Sequence, residues 1–233
     1  MRLLCLPHAG AGASVYRSWG KNLLPDVTAC PVQPPGRERR SGEQPLSSVE
    51  PLAKLIAQEI RSSVASPYAI FGHSTGALCA FEVIRELRAH EDQLPVHLFV
   101  AGRRAPQAEI ARTELAGLSA SELSALLRRL GGTPEEVLAD YDLLANMQPL
   151  LAADFAVNEC YTHRADSPLD VPITAFAGTA DSTADVTQMA GWCEQTTGDF
   201  CLHALNGGHF AVFDHAQEVH ARIVAALRDD VAK

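Results

Sequence analysis

The chain has 233 residues, of which 47% are hydrophobic and 20% charged, with 16 Gly and 14 Pro; this composition supports a buried core and excludes disordered and collagen-like classes. Asp and Glu total 28 against 19 Lys and Arg, a net charge of −9 and the wrong sign for a protein that binds nucleic acid through its phosphates. Apolar runs such as Leu3 to Leu6 and Leu98 to Ala101 fall far short of the roughly 20 residues a membrane span needs.

In chain order, strand-like and helix-like stretches alternate, the pattern of a parallel sheet covered on both faces. Leu3 to Leu6 reads as a strand. Pro7 and the glycines after it end this apolar run before it reaches signal-peptide length, so no secretory signal is expected. The Pro7 to Ala13 loop leads to a helix capped by Ser14 and carrying Val15, Trp19, Leu23 and Leu24. Val27 to Val32 is a second strand, closed by Gln33-Pro34-Pro35-Gly36. Ser47-Ser48-Val49-Glu50 offers a capping box for a helix with Leu52, Leu55, Ile56 and Ile60 in helical spacing. Tyr68 to Phe71 is a third strand, followed by a glycine-flanked serine and a helix from about Ala77 to Arg88. Val96 to Ala101 is a fourth strand.

From about residue 106 to 164 the pattern is helical without a convincing strand, so a helical insertion is expected. Ser119 with Glu122, and Thr133-Pro134-Glu135-Glu136, mark helix starts there. Alternation resumes with a strand over Ile173 to Ala177, a helix after Asp185, a strand over Phe200 to Leu205 and a last helix from about Ala216 to Leu227. The expected architecture is one α/β domain over 1–233, a mostly parallel sheet with helices on both faces and a helical lid.

Gly72-His73-Ser74-Thr75-Gly76 matches G-x-S-x-G between a strand and a helix, the context that motif requires. There Ser74 sits on a tight turn that exposes its hydroxyl, and the Thr75 N–H at the helix start faces a developing oxyanion. A serine needs a histidine to take its proton and a carboxylate to orient that histidine. Asp181 follows the Ile173 to Ala177 strand, and His209 follows the Phe200 to Leu205 strand within Gly207-Gly208-His209-Phe210. Both fit the Ser, Asp, His order of this fold. Asp185 reads as a helix cap, Asp214 lies beyond the histidine, and the loop after the fourth strand offers Arg103 and Arg104 but no acid. Ala9, after the first strand, is the candidate for a second oxyanion N–H, and His73 is expected to be structural support.

These residues resemble the stand-alone type II thioesterases that accompany nonribosomal peptide and polyketide synthases. The resemblance spans nearly the whole chain, through Pro7-His8-Ala9-Gly10, Tyr16-Arg17-Ser18-Trp19, Pro35-Gly36-Arg37-Glu38, Phe71 to Gly76, Gly102 to Pro106, Leu130 to Pro134, Pro172-Ile173-Thr174 and Gly207 to Phe210. It implies an α/β-hydrolase that cleaves acyl or aminoacyl thioesters from the phosphopantetheine arm of carrier proteins, with Ser74, Asp181 and His209 as the triad. Thr75 stands where the family often has methionine, and Ser182-Thr183 follows Asp181 where it usually has proline.

The lid residues Leu126, Leu127, Leu144, Met147 and Phe155 either line an acyl pocket or pack the lid upon itself. Arg37, Arg39 and Arg40, with Arg103 and Arg104, either face an acidic carrier protein or form solvated loops. Six cysteines without a CxxC pair read as reduced core thiols, so the cytoplasm is expected. No metal and no dissociable cofactor are expected, since phosphopantetheine arrives on the substrate, and the chain is expected to be a monomer. The rival readings are a general carboxylesterase or acyl-CoA thioesterase, and a silent binding protein on the same fold.

Overall fold

A computed structural model describes residues 1–23, 25–108 and 115–231. Leu24, and residues 109–114 of the expected lid, lie outside the described residues. In chain order the elements are β1 (Arg2–Leu6), α1 (Trp19–Leu23), β2 (Thr28–Pro31), α2 (Val49–Ser63), β3 (Tyr68–His73), α3 (Thr75–Ala89), β4 (Leu98–Ala101), α4 (Ala120–Leu130), α5 (Glu135–Ala139), α6 (Tyr141–Glu159), β5 (Ile173–Gly178), α7 (Val186–Ala190), β6 (Phe200–Leu205), α8 (Ala211–Asp214) and α9 (Ala216–Val231). The strands form one sheet in the order β2-β1-β3-β4-β5-β6, and every neighbouring pair is parallel.

The central strands are apolar at consecutive positions because both faces are covered. Side chains alternate between faces with period two, and this splits the core. Leu4, Leu6, Ile70, Leu98, Val100, Ile173 and Ala175 pack with the buried residues of α2 and α3. Leu3, Cys5, Ala69, Phe71, Phe99, Ala101 and Phe176 pack on the other face with Tyr16, Trp19 and the α9 residues Val219, Ile223 and Leu227. The chain runs outward from β1 to β2 and then returns to β3 on the other side of β1. The loops after β1 and β3 therefore diverge at a topological switch point, where open α/β sheets place their sites.

Two helix starts depart from expectation. Ser14 does not cap a helix, because its N–H and hydroxyl both go to Glu38 Oε1; the segment is a 3-10 turn over Ala13–Tyr16 followed by the short α1. The expected Ser47/Glu50 box does not form, because α2 starts one residue later than that pairing requires: Ser48 takes the cap position, extended and without a side-chain cap bond. The residue three positions on is Pro51, which has no N–H to donate, so a capping box cannot close there. The Ser119/Glu122 box does form, with Glu122 N–H donating to Ser119 Oγ at 3.3 Å and Ser119 N–H to Glu122 Oε2 at 2.7 Å.

Among the described residues the insertion between β4 and β5 contains α4, α5 and α6 and no strand. Its apolar faces meet in a cluster of their own around Leu123, Leu127, Leu138, Leu144 and Leu151. No described helix is long and apolar enough to cross a membrane. All six cysteines are free; Cys5 and Cys79 are buried, but Cys160, Cys193 and Cys201 are exposed, so only part of the set is core packing.

Candidate active site

Ser74 joins β3 to α3 with φ 54° and ψ −119°, a conformation a non-glycine residue occupies only where its surroundings enforce it. Its N–H donates to Ala101 O at 2.8 Å and its carbonyl accepts from Ala77 N at 2.9 Å. The flanking glycines are needed for close approach. A Cβ on Gly72 would lie 2.3 Å from Gly76 O, and one on Gly76 would lie 2.2 Å from Leu6 O. The turn thus wedges the start of α3 against the end of β1.

The loops after β5 and β6 bring Asp181 and His209 together. His209 Nδ1 lies 2.9 Å from Asp181 Oδ2, and the two side chains are 11% and 1% exposed. The other carboxylate oxygen, Oδ1, accepts from Thr183 N at 2.8 Å, Thr183 Oγ1 at 2.7 Å and Ala184 N at 3.2 Å. Burial alone raises the Asp181 pKa, but the hydrogen bonds and charge of His209, joined by the Thr183 donors, outweigh it and hold the carboxyl below its ordinary value. An ionised carboxylate only accepts. His209 therefore donates through Nδ1–H, which in the neutral imidazole leaves the lone pair on Nε2, the form that acts as a base.

Two further histidines stand behind this pair. His73 Nε2 lies 2.9 Å from the carbonyl oxygen of His209, so Nε2 carries the proton and donates. His73 Nδ1, 3.3 Å from His8 Nδ1, is then the acceptor, and His8 donates through Nδ1–H. Burial, reinforced by the neighbouring His209, pushes the His8 pKa down to about 3 and that of His73 well below its ordinary value. Both are neutral props of the β6 loop.

A cavity of about 560 Å³ opens onto Ser74, His209, Ala9 and Thr183, within the range of small-molecule sites. Among the described residues, neither the Ala9 N–H nor the Thr75 N–H has a hydrogen-bond partner; that of Thr75 is one of the orphan donors at the start of α3. Leu126, Leu127, Met147 and Phe155 line the cavity. Leu144 does not: it is fully buried in the lid's own cluster, on the same stripe of α6 as Phe155 but about three turns nearer the start of the helix.

The five arginines separate. Arg37 is buried and grips Asp154 of α6 with both terminal nitrogens, Nη1 to Oδ2 at 2.5 Å and Nη2 to Oδ1 at 2.8 Å. Arg103 is also buried, bonded through Nε to Asn158 Oδ1 at 3.1 Å and through Nη1 to Arg104 O at 2.8 Å. Neither can meet a partner's surface, because each guanidinium is consumed beneath the lid. Arg104 lines the cavity and bonds Thr183 O through Nε at 3.1 Å and Nη2 at 2.8 Å. Arg39 is exposed, and Arg40 is paired with Glu43 at 2.6 Å.

Sequence reading did not single out Thr183, Asp154 or Asn158. The Asp181-x-Thr183 spacing is that of an Asx turn, and Asp154 and Asn158 are the polar positions in the otherwise apolar stretch Leu150 to Asn158 of α6; both are usable signals. No group of three or more His, Cys, Asp or Glu among the described residues could hold a metal ion.

A hydroxyl on a strained turn, an imidazole poised as base, a buried carboxylate behind it and two unpaired N–H groups at one cavity suit acyl transfer through a covalent intermediate. Comparison with known proteins agrees. The profile of the Thioesterase domain family matches residues 1–227. The gramicidin S biosynthesis protein GrsT of Aneurinibacillus migulanus is 38% identical over 228 residues, covering 98% of this chain and 89% of that protein. The RedJ thioesterase from the prodiginine biosynthetic pathway of Streptomyces coelicolor superposes with a TM-score of 0.88 at 36% identity, covering 98% of this chain and 85% of RedJ. The type II thioesterase BorB from the borrelidin biosynthetic cluster gives a TM-score of 0.87 at 35% identity, covering 96% of this chain and 91% of BorB. The chain belongs to the thioesterase domain family and is a thioester hydrolase of the α/β-hydrolase fold.

Proposed function

We propose that the protein removes acyl or aminoacyl groups from the phosphopantetheine arm of carrier proteins in nonribosomal peptide or polyketide synthesis, using Ser74 as nucleophile, His209 as general base and Asp181 as its orienting partner. The observation that carries the mechanism is the Asp181–His209 hydrogen bond at 2.9 Å beside a cavity onto which Ser74 opens. The similarity to GrsT, RedJ and BorB, which serve the biosynthesis of gramicidin S, prodiginine and borrelidin, and to ClbQ and YbtT of NRPS/PKS pathways supports the substrate class.

Ser74 Oγ attacks the thioester carbonyl while its proton passes to His209 Nε2, and the Ala9 and Thr75 N–H groups receive the oxyanion. Collapse breaks the C–S bond, and the leaving thiolate takes the proton from His209. Water then attacks the acyl-Ser74 ester, giving its proton to His209; the second collapse returns that proton to Ser74 Oγ and frees the carboxylic acid. Asp181 stabilises the imidazolium at each stage. The acyl chain occupies the space bounded by Leu126, Leu127, Met147 and Phe155. No metal or dissociable cofactor enters the reaction, and the cytoplasm, where such synthases would meet it, is the proposed location. Of the arginine loops, the exposed Arg39 and the partly exposed Arg40, which a carrier would have to share with Glu43, are the members at the surface to face an acidic carrier.

The test is intact-mass spectrometry of an acyl-loaded carrier protein incubated with the enzyme or with Ser74→Ala, beside the same acyl group on coenzyme A. Loss of the acyl group from the carrier only with active enzyme, and faster than from coenzyme A, is expected. Preferential cleavage of the coenzyme A thioester would replace the carrier reading with that of an acyl-CoA thioesterase.

A further inference from the structure

The lid helix α6 reaches both backbone donors proposed to hold the oxyanion. Asp154 and Asn158 are one turn apart and share a face of the helix. Asp154 Oδ2 accepts from the N–H of Gly10 at 2.6 Å, the residue after Ala9. Arg37 fills the rest of that carboxylate and adds a bond from Nη1 to Ala11 O at 3.3 Å, so the loop is held on both sides of Gly10. Asn158 Nδ2 donates to Thr75 Oγ1 at 2.6 Å, on the residue that carries the second donor. The amide orientation is fixed from behind, because Arg103 Nε donates to Asn158 Oδ1 at 3.1 Å. A side chain at Gly10 would be strained by its backbone and would have to displace Leu151 of α6. Its φ is +78°, and a Cβ there would lie 2.6 Å from Leu151 Cδ2, again on α6.

We propose that Asp154 and Asn158 are positioning residues that tie the seating of the lid helix to the assembly of the oxyanion site, Asp154 through the Ala9–Gly10 loop and Asn158 through Thr75. This rests on the assignment of Ala9 and Thr75 as oxyanion donors. Residues Ala9 to Gly12 have no polar side chains of their own to hold them, and a backbone donor stabilises a transition state only when it is aimed in advance. The two buried arginines back the contacts: each is spent on an α6 side chain rather than on solvent. Substrate binding under the lid and activation of the carbonyl then become one event, and an empty, unseated lid leaves the serine poorly supported.

The experiment compares wild type with Asp154→Asn, Asn158→Ala, Thr75→Val and Thr75→Ser on a soluble acyl-N-acetylcysteamine thioester. Folding is checked by thermal unfolding, and competent enzyme is counted by fluorophosphonate labelling of Ser74. Two inhibitors are measured beside it: a trifluoromethyl ketone, which forms an oxyanion on Ser74, and an uncleavable thioether of the same chain. Removing one oxyanion donor costs about 10²–10³ in rate. Loosening one is expected to lower kcat about 10–100-fold in Asn158→Ala, Asp154→Asn and Thr75→Val, with KM little changed. The trifluoromethyl ketone should weaken in step and the thioether hold. Thr75→Ser, which keeps the hydroxyl, should recover most of the loss. Folded variants with unchanged kcat, or a loss confined to KM and shared by both inhibitors, would overturn the proposal and leave α6 as a pocket wall. If wild type is not labelled at Ser74 and Ser74→Ala stays active, the underlying mechanism fails instead.

Discussion

Gly76→Ala tests the wedge that shapes the nucleophile turn. The added Cβ would sit 2.2 Å from Leu6 O and 2.7 Å from Pro7 O. Both are backbone atoms at the end of β1, so no side chain can swing aside. Restoring ordinary contact requires β1 and α3 to part by roughly 1 Å in a close-packed region. Overpacking of this kind costs about 1–3 kcal/mol, and the absence of a soft neighbour puts the expected loss near the upper end. The same displacement separates Ser74 and Thr75 on one side from the Pro7–Gly10 loop on the other. A misplacement of about 1 Å costs on the order of 100-fold in rate. Urea unfolding would measure the first effect; fluorophosphonate labelling and turnover of a short acyl thioester would measure the second. Gly42→Ala is the control, since a Cβ there meets nothing within 4 Å, and it should change stability by less than about 0.5 kcal/mol. Gly76→Ala with unchanged stability and turnover within about twofold of wild type, well inside the expected loss, would refute the account of the turn.

Arg37→Met should destabilise the fold by about 3–5 kcal/mol, because it strands a buried carboxylate, whereas Arg37→Met with Asp154→Leu should recover most of that loss; urea denaturation of the three proteins checks the sign. His8 and His73 are buried with pKa values below the ordinary value near 6.5, so between that value and their folded values the unfolded chain binds protons the folded chain does not. Stability should therefore fall as pH drops from about 6.5, by up to about 1.4 kcal/mol per pH unit for each imidazole; a flat urea midpoint from pH 7.5 to 5 would contradict this. Arg39→Glu with Arg40→Glu should slow action on an acyl carrier protein while sparing a small free thioester, read from kcat/KM on each, and equal effects on both would remove the carrier-docking role of this loop.

Much of this protein is determined locally. The alternation of apolar strands and amphipathic helices is set by periodicity, which reports which faces each element must bury. The helical lid between β4 and β5 showed itself as an absence of strand pattern over about sixty residues, longer than an unstructured loop in a compact domain is expected to be. Ser74 was legible because its geometry is built from adjacent residues: a strand, two glycines and a helix start. Asp181 and His209 were legible by their places after strands, since a parallel sheet delivers every strand's carboxyl end to one edge.

What only the tertiary structure decided concerns side chains whose partners are far away in sequence. Arg37 and Arg103 looked like surface charge. They are buried because Asp154 and Asn158, 117 and 55 residues away, arrive on the same face of one lid helix. Leu144 and Phe155 share one stripe of that helix and the same apolar character, yet Leu144 is shut inside the lid's cluster while Phe155, packed against that cluster, also borders the cavity. Composition and spacing register how apolar a position is and how often it recurs. They do not register which other element covers it, and that is settled only when the lid closes over the sheet and each buried polar group must find its partner or leave a charge stranded.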